Sequence, residues 1–354
     1  MKKKKVVVGM SGGVDSSVAA YLLKEQGYHV IGVTMHLFDT EDTNSCCGIT
    51  GVEDARRVAA TLGIPFYVMN FKEEFQTEVM DYFVKEYEAG RTPNPCIACN
   101  RYIKWEALLE KSRMIGADYL ATGHYARVKQ LANGRYAICH SKTDRKDQTY
   151  ALYNLTQEQL KHTLMPVGEY EKEQIREIAK EQNLLVANKP DSQDICFVPD
   201  GDYAGFICRS TGRQPEKGNF VGTDGTIYGE HKGILHYTVG QRKGLGISFG
   251  KPMYVVAVRS DTNEVVLGEE EELFSTTLTA DHMNYMGAAS FAPGQKMLAK
   301  IRYSHKGEMC HVIAAEGDRV KVEFEHPVRA ITPGQAVVFY DGEVVLGGAA
   351  ILGR

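Results

Sequence analysis

Residues 6–17 read "VVVGMSGGVDSS", and no other stretch restricts the fold as tightly. Val6–Val8 is short, β-branched and continuous, which suits a strand buried on both faces of a parallel sheet. From Val14 the spacing turns helical: Val14, Val18, Ala19, Leu22 and Leu23 share one face, and Gly27 follows as a stop. The glycines therefore fall between a strand and a helix N-terminus, where unpaired amides and the helix dipole favour an anion. Gly12 and Gly13 let the backbone wrap closely around it, and Ser11, Ser16 and Ser17 offer hydroxyls. Asp15 is placed to hold a phosphate-bound magnesium ion. The plainer alternative is an ordinary tight strand–helix turn, since short glycine loops recur in many α/β proteins. The loop lacks the lysine of G-x-x-x-x-G-K-[ST] and does not fit G-x-G-x-x-G. A kinase-type phosphate loop and a dinucleotide redox site thus have no support.

"SGGVDS" resembles the pyrophosphate-binding loop of the ATP-pyrophosphatase superfamily, enzymes that adenylate a carbonyl oxygen and release pyrophosphate. The chain has 354 residues, room for two or three domains. It has no 18-residue apolar run, and "MKKKK" leads into a strand rather than a cleavable apolar segment, so no membrane span and a cytoplasmic location are expected. A net charge of −4 does not advertise nucleic-acid binding, although local patches can supply it. Eight cysteines in a chain this long are not a disulfide scaffold; in a cytoplasmic setting they point to chemistry or metal.

Up to about residue 200, strand candidates such as "HVIGVTMHL" and "PFYVMNF" alternate with helical stretches such as "GVEDARRVAATLG" and "RYIKWEALLEKSRMIG". This alternation predicts an α/β domain with a Rossmann-like parallel sheet covered on both faces. Ligands in such sheets lie at the carboxyl ends of strands. Gly9–Ser16, the segment around Met35 and the loop at Gly123–His124 then share one rim. Beyond about residue 203 short glycine-punctuated strands take over, and from about 276 the alternation of strands and turns is that of a small β-barrel. The expected domains are 1–203 (catalytic), 204–275 (small, central) and 276–354 (barrel).

"GRTPNPCIACNRYIKW" carries Cys96 and Cys99 in a C-x-x-C ahead of a helical stretch, where a helix N-terminus stabilises a thiolate. Half of a zinc site would look the same, but no second C-x-x-C or paired histidine follows at standard spacing. Cys196 lies in the polar stretch "KPDSQDICFVPDGDY"; alone it reads as a core cysteine. Beside an adenylating loop and a C-x-x-C, a sulfur-transfer pair is the sharper reading. Cys139, Cys208 and Cys310 sit in apolar or mixed stretches and read as structural, and Cys46–Cys47 has no assigned mechanism.

Taken together, "GMSGGVDSSVAA", "GRTPNPC..CN", "ATGHYA", "KDQTY", "DSQDICF", "TVGQRKGLG" and "TPGQAVVFY" resemble, nearly end to end, the bacterial tRNA-specific 2-thiouridylase (MnmA/TrmU) family. The resemblance implies a PP-loop catalytic domain, a small central domain and a C-terminal β-barrel that binds tRNA. It implies ATP-dependent replacement of the 2-oxygen of the wobble uridine by sulfur. Gly9, Met10, Ser11, Gly12, Gly13, Val14, Asp15 and Ser16 are then expected to bind ATP phosphates, with Met35 and Gly123 on the nucleotide. Cys196 is expected to carry a persulfide delivered by a cysteine desulfurase or sulfur-relay protein. Cys99 is expected to release that sulfur and end in a Cys99–Cys196 disulfide, or the persulfide attacks directly. Asn94, Pro95 and Cys96 meet the target base by the same implication, and His124, Lys146, Asp147, Gln148, Arg302, Tyr303 and Gln335 contact the RNA. Lysine, glutamate and glutamine tRNAs are the implied acceptors. Read singly, Met35 is a strand-core methionine, and Lys146, Arg302 and Tyr303 are solvated surface. Grouped with Arg145, His305 and Lys306 they supply the positive charge phosphates require.

One departure matters: many family members carry an aspartate where this sequence has Cys96. That aspartate is taken as a general acid/base, and a thiol there has a different pKa. Three thiolates, Cys96, Cys99 and Cys196, are also a ligand set for an iron–sulfur cluster, the less favoured alternative to the persulfide. Another adenylating synthetase would share the loop without needing Cys99 and Cys196. A non-catalytic RNA-binding module would have no reason to keep "SGGVDS".

Overall fold

The computed structural model describes residues 3–39, 49–190 and 195–354, so Cys46–Cys47 and the "DSQD" of the Cys196 stretch lie outside the described residues. The chain divides into two compact units. The first comprises Met1–Met80, Cys96–Pro199 and Glu343–Leu346; the second comprises Asp81–Pro95, Asp200–Gly342 and Gly347–Arg354.

In the first unit Lys5–Gly9 forms β1 and Val14–Glu25 forms helix α1, with the serine–glycine loop between them. Strands β2 (His29–His36), β3 (Phe66–Asn70), β4 (Tyr119–Ala121) and β7 (Thr163–Leu164) complete a sheet in the order β3-β2-β1-β4-β7. Every pairing is parallel, Val7 lying opposite Ile31 on one side and Leu120 on the other. The strand order reverses between β1 and β4, and a crevice opens at the carboxyl ends of the strands on either side of such a reversal. The Val6–Val8 run is fully buried, as a central strand requires. Val14, Val18, Ala19, Leu22 and Leu23 all pack inward; each valine or leucine so buried contributes about 1.5–3 kcal/mol. Gly27 (φ +88°) ends the turn after α1, and helix α2 (Ile49–Leu62) stops at Gly63 (φ +62°), both left-handed positions that glycine adopts cheaply.

The "RYIKW" region departs from a regular α-helix. Pro95–Ala98 is α-helical, Cys99–Leu108 widens into a π-helical stretch, and Leu109–Met114 returns to α. Cys99 therefore opens the wider segment, and such segments recur at functional sites. A hairpin of β5 (Arg127–Gln130) and β6 (Tyr136–Cys139), which the sequence pattern did not reveal, is joined by Val344 opposite Cys139. Glu343 takes ion pairs from Arg127 and Lys129, the latter at 2.7 Å.

The second unit holds two sheets. Strands β8 (Gly218–Gly222), β9 (Ile227–His231), β10 (Tyr254–Arg259) and β11 (Glu264–Gly268) pair in the order β10-β11-β8-β9 around Phe220, Tyr237, Val255, Val265 and Leu267. Strands β12 (Phe274–Tyr285), β13 (Lys296–Lys300), β14 (Glu308–Glu316), β15 (Arg319–Arg329), β16 (Ala336–Asp341) and β17 (Val344–Gly353) run in the order β12-β15-β14-β13-β16-β17. The β12–β17 pairing closes them into a six-stranded barrel. On β15 alternate residues are buried, as Val320, Val322 and Phe324 show. No helix among the described residues is long and apolar enough to cross a membrane.

Candidate active site

The loop after β1 leaves helix α1 without a side-chain cap, and the first amides of a helix have no partner within it. Gly13 precedes the helix, and its carbonyl accepts the Ser17 hydroxyl at 2.8 Å and the Ser16 hydroxyl at 3.3 Å. The Ser11 amide donates to Ser16 Oγ at 3.3 Å. Gly12 adopts φ +71°, and a methyl group there would fall 2.2 Å from the Gly51 oxygen, so the position excludes any side chain. Met10 is buried, with its carbonyl held by Thr34 Oγ1 at 2.7 Å. Gly123 follows β4 and presses against the same helix start: a methyl group on it would lie 2.5 Å from the Ser16 nitrogen. The loop of Gly9–Ser16 and Gly123 thus share the crevice between β1 and β4. Met35 stands half-buried near the carboxyl end of β2, in register with Met69.

Asp15 is placed differently from the sequence reading. Its Oδ1 and Oδ2 accept from Lys172 Nζ at 2.7 and 2.9 Å, and Oδ1 also accepts from the Tyr125 hydroxyl at 2.7 Å. Lys172 is only 7% exposed and opens the helix Lys172–Glu181. An ammonium already compensates the carboxylate, so Asp15 is a poor fit for a metal ligand in this arrangement. Nothing local in the sequence connects residues 157 positions apart.

His124 is held by Thr122 Oγ1, 2.7 Å from Nδ1, and by Lys104 Nζ, 3.3 Å from Nε2. Burial first, and then the Lys104 charge, push its pKa well below the usual 6.5, so the ring is neutral. Asp147 is turned into its own loop: it accepts from the Ser141 and Thr149 amides and the Thr149 hydroxyl, and lies 3.0 Å from His140 Nδ1. Burial raises its pKa, but the bonds from His140, Thr149 and Ser141 outweigh burial and hold it below 3.8. Gln148 pins Tyr125 by accepting its amide at 2.8 Å. Lys146 is half-buried beside them.

Cys96 is exposed, whereas Cys99 and Cys196 are half-buried, all three as thiols. Asn94 and Pro95 belong to the second unit and Cys96 to the first. Among the described residues no three His, Cys, Asp or Glu side chains are grouped to hold a metal. Burial pushes the Cys139 thiol up and the Cys310 thiol to about 12, which makes both poor nucleophiles.

In the second unit a cavity of about 230 Å³ brings Arg302 and Gln335 together with Thr92, Thr238 and Arg329. Gln335 Nε2 donates to the Thr92 oxygen at 2.8 Å, and the Thr92 amide donates to Pro333 O at 2.9 Å, so the "GRTPNP" segment is fastened there. Tyr303 is 52% exposed. His305 does not add to the positive charge expected around Arg302: burial and the Arg302 charge lower its pKa, leaving the ring neutral.

Comparison with known proteins completes the picture. Residues 4–200 match the domain family described as tRNA methyl transferase HUP domain, 204–269 the tRNA methyl transferase PRC-barrel domain, and 275–351 the aminomethyltransferase beta-barrel domain. The tRNA-specific 2-thiouridylase MnmA of Lachnoclostridium phytofermentans is 62% identical over 99% of both chains. Those of Clostridioides difficile and Acetivibrio thermocellus are each 55% identical, over 98% of both chains and over 99% and 100% respectively. With identity this high along the whole length, the chain belongs to the tRNA-specific 2-thiouridylase MnmA family.

Proposed function

We propose the following chemistry for a chain whose activity follows from its family: it is a tRNA sulfurtransferase that uses ATP to make 2-thiouridine. A uridine 2-carbonyl is a poor electrophile because its oxygen leaves badly, and adenylation turns that oxygen into part of an AMP leaving group. The observation that carries the reading is the uncapped α1 N-terminus wrapped by Gly9–Ser16, with Gly123 packed directly on Ser16. There the amides and hydroxyls take the ATP phosphates, and Met35 and Gly123 border the nucleotide. Magnesium is assigned no ligand on Asp15.

Sulfur arrives as a persulfide on Cys196 from a cysteine desulfurase or relay protein. Cys99 attacks the outer S–S bond and leaves a Cys99–Cys196 disulfide, while the released sulfide displaces AMP at C2. Asn94, Pro95 and Cys96 receive the target base, flipped from the anticodon loop at modest cost. His124 and Lys146–Gln148 are the proposed RNA contacts on the catalytic unit, and Arg302, Tyr303 and Gln335 those on the barrel. Lysine, glutamate and glutamine tRNAs are the proposed acceptors, the cytoplasm the proposed location, and 1–203, 204–275 and 276–354 the proposed domains.

The test uses iron-free protein with a desulfurase, ATP and tRNA. Thiolation with a trappable persulfide on Cys196 is expected, and Cys96→Asp retains substantial activity. Activity appearing only after anaerobic cluster reconstitution, and weakened iron retention in Cys96→Asp, would overturn the persulfide route in favour of the three-thiolate cluster.

A further inference from the structure

Lys104 has entered so far only as a partner of His124. It stands in the π-helical stretch that Cys99 opens, half-buried, and donates to Asn100 Oδ1 at 2.8 Å. Its second partner is His124 Nε2 at 3.3 Å. Both acceptors are fixed from behind. Asn100 is buried and its Nδ2 donates to the Ala151 oxygen at 2.9 Å, which turns Oδ1 toward the lysine. An ammonium has no acceptor, so the neutral His124 ring must accept at Nε2 and carry its proton on Nδ1, which donates to Thr122 Oγ1. The Trp105 ring packs 5.5 Å from the His124 ring and is itself anchored through Nε1 to Thr163 Oγ1 at 2.7 Å.

Some lysines of this unit have their charge compensated, whereas Lys4, Lys5 and Lys24 donate to neutral oxygens near the surface. Lys72 pairs with Asp39, Lys111 with Glu74, Lys172 with Asp15 and Lys189 with Asp54. Lys104 is held by two neutral acceptors, and among the described residues no carboxylate pairs with it. An ammonium held this way in a partly dry setting retains its attraction for an anion. Its place is specific. His124 directly follows Gly123, which abuts Ser16 of the phosphate loop, while the lysine's own helical segment begins at Cys99.

We propose that Lys104 is a catalytic residue that binds the α-phosphoryl group of ATP during adenylation, an inference that rests on the adenylation reading above. The loop amides hold the departing pyrophosphate. The α-phosphorus, which must reach the base, is assigned by this proposal to the Cys99 side of the loop. In the step, uridine O2 forms a bond to Pα and the bond from Pα to the bridging oxygen breaks. The electron pair stays on pyrophosphate, and the N3 proton of the uracil ring is released. Lys104 stabilises the charge that builds on the α-phosphoryl oxygens as O2 arrives.

The test measures tRNA-dependent pyrophosphate release with the sulfur donor omitted, which keeps Cys99 and Cys196 out of the readout. Lys104→Met is expected to lower kcat about 100-fold while the KM for ATP moves by less than about threefold. Lys104→Arg recovers part of the rate. The two diastereomers of ATP bearing sulfur on the α-phosphorus report contact directly. Wild-type protein discriminates between them, and Lys104→Met loses that discrimination. Should Lys104→Met fail to fold, Lys104→Arg must still change the diastereomer ratio. Wild-type rates in Lys104→Met, or an unaltered ratio in the slowed or the arginine variant, overturn the assignment. A wild-type protein that releases no pyrophosphate overturns the adenylation reading itself, and the Lys104 role with it.

Discussion

In the sheet unit the carboxylate of Asp15 is bound by Lys172 and Tyr125, His124 is clamped between Thr122 and Lys104, and Asp147 is spent on its own loop. In the barrel unit Tyr303 is half exposed, and Arg302 borders an open cavity while donating to Arg329 O at 3.0 Å. The first arrangement fixes charges before any ligand arrives, as the proposed adenylation requires. The second leaves a cation and an aromatic face accessible, as the proposed grip on RNA requires. Preorganisation and accessibility compete for the same side chains, and here the two demands are met in different units.

The largest effect that separates the units is on stability. Asp15→Ala removes the two-oxygen partner of a buried ammonium and is expected to cost about 3 kcal/mol. Adding Lys172→Met should recover at least half of that loss in a denaturant titration. A single variant as stable as wild type would break the contrast, since Asp15 would then be no more committed than a surface carboxylate.

Next comes RNA grip. Tyr303→Ala is expected to weaken tRNA binding by about 1–3 kcal/mol through lost stacking. Arg302→Ala should weaken it and reduce the salt slope by about 1. If binding is unchanged in Arg302→Ala while turnover at saturating tRNA collapses, the barrel is part of the chemistry and the division fails.

The smallest effect sharpens the comparison through pH. The folded His124 ring refuses a proton that the unfolded chain accepts below about pH 6.5, because its folded pKa is depressed. Its contribution is therefore intact above pH 6.5 and lost as pH falls, by about 1 kcal/mol between pH 6.5 and 5.5. His124→Gln should flatten that slope in unfolding experiments, whereas His326→Gln on the exposed barrel surface should leave it in place.

Much of this was legible in the sequence because local rules decide it. A β-branched run, glycines and a change of period located β1, the loop and α1, and Gly12 occupies the left-handed conformation that such a loop requires. The parallel sheet followed from alternation, and the barrel from short strands with regular turns. Long-range charge pairing was not legible. Lys172 reads as the first turn of a surface helix, and Lys104 as one more lysine in an amphipathic stretch. Only the fold brings the first to Asp15 and the second to His124. His305 erred the other way: sequence assigns it a share of positive charge that burial removes. The hairpin at 127–139 escaped notice because its strands are four residues each and pair with a segment far along the chain.

That last pairing has a kinetic side. Arg127 and Glu343 are separated by 216 residues, yet both belong to the sheet unit, and Val344 completes the edge of its hairpin. During synthesis the nucleotide-binding half emerges first but cannot finish until segment 343–346 has been made. Contacts of such high order are slow to form, and the β6 edge stays open as a template for wrong pairing in the meantime. The enzyme's first domain to be translated is thus among the last to be completed, and chaperone demand should fall on nascent chains that stop short of Glu343.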